Sequence, residues 1–160
     1  MTKPENATDA QLLTRLSSGD SRALEALANR YEKGLVGIAR GLLGGRQDLA
    51  DDAVQETWVR VLRFGSTFSS KSSVKTWLYR IAVYQCHTMR STMRRREDRD
   101  TGRAHQTRPP ANTPDVDLVH DLTRALDSLP EAKRTVVLLC YHRGMTHEQA
   151  AQVLEIPVGT

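Results

Sequence analysis

The sequence predicts an all-α protein: an N-terminal four-helix domain over residues 1–96, a flexible linker over 97–115 and a smaller C-terminal helical domain over 116–160. Three observations carry that prediction. Apolar residues recur at three-and-four spacing through each long segment, the signature of one buried helical face. Capping residues and glycines punctuate those segments at helix-sized intervals. Between them, REDRDTGRAHQTRPPANTPD holds adjacent prolines at 109 and 110, a third at 114 and no apolar seam, as an extended linker does.

Composition sets the outer limits. The 160 residues are 39% hydrophobic and 26% charged, with a formal net charge of +4, which leaves room for one medium or two small domains. No stretch approaches the apolar length of a membrane span and the first ten residues, MTKPENATDA, lack an apolar signal core, so a cytoplasmic protein is expected. Cys86 and Cys140 both fall inside predicted helices and make no disulfide framework.

The first helix is expected to start with Asp9 as cap and to bury Leu12, Leu13 and Leu16, with Gly19 stopping it. Asp20 caps the second, whose stripe runs Leu24, Leu27, Ala28, Tyr31, Leu35, Ile38, Ala39 and Leu42 until Gly44 and Gly45 end it. A third helix from Asp48 turns Ala53, Val54, Thr57, Trp58, Val61 and Leu62 inward. Its early acids and late arginines suit the helix macrodipole. Asp52, Gln55 and Glu56 also share one outer face at i, i+3 and i+4, a compact acidic patch on which a basic protein can dock.

The fourth helix, Ser72 to Arg96, organises the rest. Ser72 or Ser73 is its cap and Val74, Trp77, Leu78, Ile81 and Ala82 are its seam, beyond which the helix is expected to leave the core. Lys75, Thr76, Tyr79, Arg80, Val83, His87, Arg90, Ser91 and Arg94 group on the opposite side. From Thr57 to Arg96 there is no Asp or Glu, whereas Arg60, Arg63, Lys71, Lys75, Arg80, Arg90, Arg94, Arg95 and Arg96 are basic. Such a surface attracts phosphates by counterion release, and Trp77, Tyr79 and Tyr84 are available to stack on unpaired bases. The plainer alternative is a solvated charged face with Trp77 in the core. Gly65 to Ser73 has turn composition and is placed either to hold a flipped base or merely to connect.

These residues resemble a known family. ADDAVQETWVRVLR followed by KTWLYRIA and a run of arginines is similar to region 2 of bacterial sigma factors of the extracytoplasmic-function group, which read like EDLVQETFLRVWR and FRTWLYRIARN. SGDSRALEALANRY fits the same family's upstream helix, with Ala23-Leu24 where Ala-Phe is usual. The resemblance implies that Asp52, Gln55 and Glu56 bind core RNA polymerase. It further implies that Lys71, Lys75, Tyr79, Arg80, His87, Arg90, Arg94, Arg95 and Arg96 bind promoter DNA at the melted minus-ten element. Which of Lys75, Tyr79, Arg80 or His87 touches a base stays open; Arg90 and Arg94 to Arg96 fit phosphate contacts.

The C-terminal segment is expected to begin with a helix near Asp117 that turns Val119, Leu122, Leu126 and Leu129 inward. Pro130 opens the next, which carries Val136 to Leu139 and Tyr141 up to Gly144. Thr146 and Gln149 form a capping box for the last helix. SLPEAKRTVVLLCYHRGMTHEQAAQVLEIPVGT resembles sigma region 4, in which the helix that follows PVGT enters the major groove. An incomplete helix-turn-helix, truncated before its recognition helix, is therefore expected. Residues 101–160 hold six Lys/Arg and seven Asp/Glu, against 17 and 12 in residues 1–100, so this half is slightly acidic. A unit of about 45 residues lacking its last helix buries little surface and is marginal alone.

Catalysis finds no support in the chain. Cys140, His142 and His147 have the wrong spacing for a zinc finger, no hydrolase elbow or phosphate loop occurs, and Asp51-Asp52 has no apolar pocket to raise a pKa. No metal, cofactor or enzyme activity is expected. The resemblance also makes an anti-sigma factor an expected partner. Two rivals are a sigma-like interaction module held by such a partner and a stand-alone helix-turn-helix regulator. The sigma reading requires the surface around Tyr79 and Arg80 and the Asp52 side of the third helix to face outward.

Overall fold

The computed structural model describes residues 7–100 and 114–158. Among the described residues seven α-helices follow one another: α1 Asp9–Ser17, α2 Ser21–Leu42, α3 Gln47–Phe64, α4 Val74–Asp100, α5 Pro114–Ser128, α6 Glu131–Val137 and α7 His147–Leu154. A 3-10 turn at Gly65–Thr67 follows α3, and a π-helical turn at Leu138–His142 extends α6. The described residues contain no strand. Residues 101–113, most of the expected linker, lie outside the described residues, while α4 continues to Asp100 and α5 already starts at Pro114.

Local chemistry explains the ends. Thr8, not Asp9, caps α1: its hydroxyl accepts from the Gln11 amide and the Gln11 side chain accepts from the Thr8 amide. Asp9 instead takes Arg30 at 2.7 Å and the Tyr31 hydroxyl, tying α1 to α2. Asp20 caps α2. After Leu42 the chain reverses through Gly44 and Gly45, whose φ values of +68° and +79° suit residues without a Cβ. Ser73 caps α4 by accepting from the Thr76 amide at 3.0 Å, and the predicted box at Thr146 and Gln149 opens α7.

Two apolar clusters hold these elements. One joins Leu12, Leu13 and Leu16 of α1 to Leu27, Val61, Val74 and Leu78. The other begins with Leu35, Ile38 and Leu42 of α2, Ala50, Ala53 and Val54 of α3, and Tyr79, Ala82, Val83 and Cys86 of α4. It then continues without interruption into Leu138, Leu139, Met145, Ala150 and Val153 of the C-terminal segment. That segment thus completes its core against α2 and α4, which answers the small surface it buries alone.

Several inward expectations are corrected. Leu62 is 55% exposed and Leu122 60%, because α3 and α5 each contact neighbours over a narrower stripe than their apolar spacing implies. Tyr141 is 88% exposed on the outer side of the π turn. Val119's side chain lies outside the described residues. No helix among the described residues is long and apolar enough to cross a membrane.

Candidate functional site

Helix α3 buries Ala53, Val54, Thr57 and Val61. That pins its opposite side outward, and Asp52, Gln55 and Glu56 are all exposed. Glu56 meets Arg60 at 3.4 Å one turn on, a weak surface pair that leaves the patch open to a partner.

Helix α4 departs from expectation. Its seam is buried as predicted at Val74, Leu78 and Ala82, but Thr76, Tyr79, Val83, Gln85 and Cys86 are buried as well. The requirement that the surface around Tyr79 and Arg80 face outward therefore fails at Tyr79, whose ring is 0% exposed and so is not open to DNA in this arrangement, whereas the Asp52 side of α3 meets it. Arg80 is half-buried rather than free. The physical reason is that α2, at Gly34, and the C-terminal segment, through Arg143, close over this side of α4. Periodicity within one helix reports how many faces are apolar, not what a distant segment places over a mixed one.

The cover is polar as well as apolar. Arg143, just after the π turn, donates from Nε to the Tyr79 hydroxyl at 2.8 Å and sits 5.7 Å from the ring centroid. Burial raises the phenol's pKa against the opposing pull of that guanidinium. Arg80 donates through Nε and Nη2 to the Gln152 carbonyl at 3.1 and 2.6 Å, and its Nη1 lies 3.3 Å from the Glu155 carboxylate. His87 Nε2 is 3.1 Å from the Thr135 hydroxyl and 3.6 Å from Glu131. Desolvation is the main cause that lowers its pKa; Arg90 and Arg134 act in the same direction and Glu131 opposes them.

One turn further, Arg90 donates to the Leu42 carbonyl at 2.6 Å and pairs with Asp127 at 3.1 Å. Lys71 and Arg94 to Arg96 are exposed, and Lys75 is half-buried. Among the aromatic residues, Trp77 is half-buried against Phe68, ring centroids 5.5 Å apart. Of the aromatic side chains of α4, Tyr84 is the outward one, 59% exposed beneath Arg60.

Sequence reasoning missed the residues that make this cover. Arg134 is 2% exposed and donates to the carbonyls of Leu126, Asp127 and Leu129, so it ties off the end of α5. Nothing in its spacing announces that role. A signal did exist for the docking itself: Gly34, Gly37 and Gly41 lie on one face of α2. A Cβ on them would stand 2.2 Å from Arg143 Nη2, 2.5 Å from His142 Nε2 and 2.7 Å from Leu138 Cδ2 respectively. Glycines at that spacing in a helix mark close approach of another element. His142 is thus engaged against α2. Cys86, buried in the core, has its thiol pushed up to about 12, so it is an inert apolar residue.

Sigma-70 region 2 matches residues 27–99 and Sigma-70, region 4 matches residues 120–160. The chain is 29% identical over 169 residues to the ECF RNA polymerase sigma-E factor of Haemophilus influenzae, covering 98% of this chain and 88% of that one. It is 28% identical to the RNA polymerase sigma-H factor of Pseudomonas aeruginosa, over 95% and 85% of the two chains. Among solved structures, CnrH in complex with the cytosolic domain of CnrY superposes with a TM-score of 0.71 at 24% identity. That match covers 94% of this chain and 84% of the other. The sigma factor RpoE of Bartonella quintana, in complex with the anti-sigma factor NepR, gives 0.68 at 23% over 84% of each. The chain belongs to the sigma-70 family, in its extracytoplasmic-function group.

Proposed function

We propose that the chain is a dissociable specificity subunit that docks on core RNA polymerase through Asp52, Gln55 and Glu56 and directs it to promoters. One observation carries this most directly: the exposed acidic patch on α3 is followed by 40 residues, Thr57 to Arg96, that contain no acid and run through most of α4. The patch complements a basic protein, and the cationic helix complements melted DNA.

Duplex opening is opposed by stacking; a flipped base held near the loop before α4, with the strand passing Lys71, Lys75, Arg80 and His87 and its phosphates on Arg90 and Arg94 to Arg96, offsets that cost. Exposed Tyr84 adds a stacking surface at the side of that path. Regional function needs no catalytic group, and the protein acts in the cytoplasm, where polymerase is. A second partner is an anti-sigma factor: RpoE, a structural neighbour, is held by NepR, and a protein of that kind would keep this chain idle.

Gel filtration with core polymerase tests the docking face. The wild-type chain co-elutes, and Asp52→Lys/Glu56→Lys lowers the affinity about tenfold or more, since like charges across an interface repel. Equal co-elution of the double variant overturns the assignment of α3. In a permanganate footprint on promoter DNA, Arg94→Ala/Arg95→Ala/Arg96→Ala weakens opening; an unchanged footprint removes those arginines from the DNA path.

A further inference from the structure

We infer that the cleft bounded by the end of α2, the second half of α4 and the α5–α6 turn is a binding site for a nucleotide, which sets its phosphates on arginines and its base on an apolar wall. The cleft has a volume of about 690 Å³, within the range of small-molecule pockets. Its arginines come from distant parts of the chain: Arg46 between α2 and α3, Arg90 and Arg94 on α4, and Arg134 on α6. Arg90 and Arg94 also stand in the proposed path of DNA, but Arg46, Ser128 and Arg134 do not, so the site holds whether or not α4 meets a strand.

Charge selects an anion. Arg134 is almost wholly buried, and its Nε and Nη2 are taken up by the carbonyls of Leu126, Asp127 and Leu129. Its Nη1 lies 3.0 Å from Asp127 Oδ1 without forming a hydrogen bond, which leaves a buried donor with no acceptor. The same Oδ1 already accepts from Arg90 Nη2 at 3.1 Å, so one carboxylate oxygen stands between two guanidiniums. Burial and Arg90 both work against the charged form of Arg134, while Asp127 and Glu131 oppose them. A phosphate oxygen supplies both the missing acceptor and further negative charge.

The remaining arginines are less committed. Arg46 meets Asp48 at 2.9 Å on an open surface, a pair of small worth. Exposed Arg94 meets no carboxylate among the described residues. Four guanidiniums therefore border the cleft against three carboxylates, Glu97, Asp127 and Glu131. Leu43, Met93 and Leu129 border it too, and an inorganic anion leaves that apolar surface unused. A planar base covers it, and Glu97 can accept from base amino or ribose hydroxyl groups.

Titration of the full chain with mant-GTP, in magnesium-free buffer of low ionic strength, tests this. Wild type is expected to bind a single equivalent that GTP displaces and inorganic pyrophosphate, which has no base, displaces less well. Arg46→Glu should weaken binding about tenfold or more. Ser128→Asp puts a carboxylate into the cleft without touching an arginine and should do the same, so the test survives if the Arg46 variant fails to fold. Arg22→Glu makes an equal charge change at the exposed start of α2 and should bind as wild type does.

An absence of saturation at about 1 mM probe overturns the site. Equal weakening by Arg22→Glu also overturns it, since that is attraction to the basic protein in general. Pyrophosphate that displaces as well as GTP removes the base from the assignment. A strand offers the same phosphate chemistry, so anisotropy of a fluorescein-labelled single-stranded oligonucleotide separates the two sources. If Arg46→Glu and Ser128→Asp weaken the oligonucleotide as much as mant-GTP, the cleft belongs to a strand and the nucleotide assignment falls.

Discussion

His87 is held between the two halves of the chain, and its protonation is expected to set how firmly they meet. It faces Glu131, Thr135 and Arg134 of α6 and Arg90 of its own helix. Its pKa lies below the usual 6.5, chiefly through burial, so the closed form binds fewer protons than a form in which the ring is solvated. By linkage, the open form gains as pH falls through 6.5 towards the lowered value, and closure is fully favoured above 6.5. Small-angle X-ray scattering between about pH 7.5 and pH 5.5 should show the radius of gyration rising as pH falls. His87→Gln, which cannot titrate, should flatten that dependence. A rise of equal size in the variant assigns the effect to other groups. Cys86 makes the opposite case, a titratable group that burial has taken out of use.

At the scale of the element, α7 shows how much a helix of eight residues depends on its start. Thr146 and Gln149 satisfy each other's backbone amides, at 3.2 Å for the Gln149 amide and 3.1 Å for the Thr146 amide. Glu148 in the first turn complements the helix N-terminus. Thr146→Ala is expected to cost about 1 kcal/mol, read as a lower urea midpoint with an unchanged slope; a midpoint equal to wild type removes the box from the stability of α7. Helix existence and most caps were legible in the chain because they depend on neighbours a few residues away, the α1 cap being off by one residue, Thr8 for Asp9. Asp20, Ser73 and Thr146 are found where their residue types place them. The Leu62 and Leu122 expectations failed for the complementary reason: an apolar residue at helical spacing is buried only if another element reaches it.

For the whole molecule, the closed arrangement mixes a continuous apolar core with ion pairs at its margin. Raising salt from about 0.1 M to about 1 M shortens the screening length from ~10 to ~3 Å. The radius of gyration of the wild-type chain should therefore rise with salt, and that of Asp127→Asn/Glu131→Gln/Glu155→Gln should not; parallel curves would show that the carboxylates do not hold the closure. By itself the amino-acid sequence determined the helices, the caps at Asp20, Ser73 and Thr146, the acid-free cationic run and the family, since each is written in local spacing and residue type. Only the tertiary structure decided that Tyr79 is buried and that Arg80, His87 and Arg90 already have partners more than 30 residues away. Contacts of that range depend on which surfaces meet in space, and a helical pattern specifies a face without specifying its occupant.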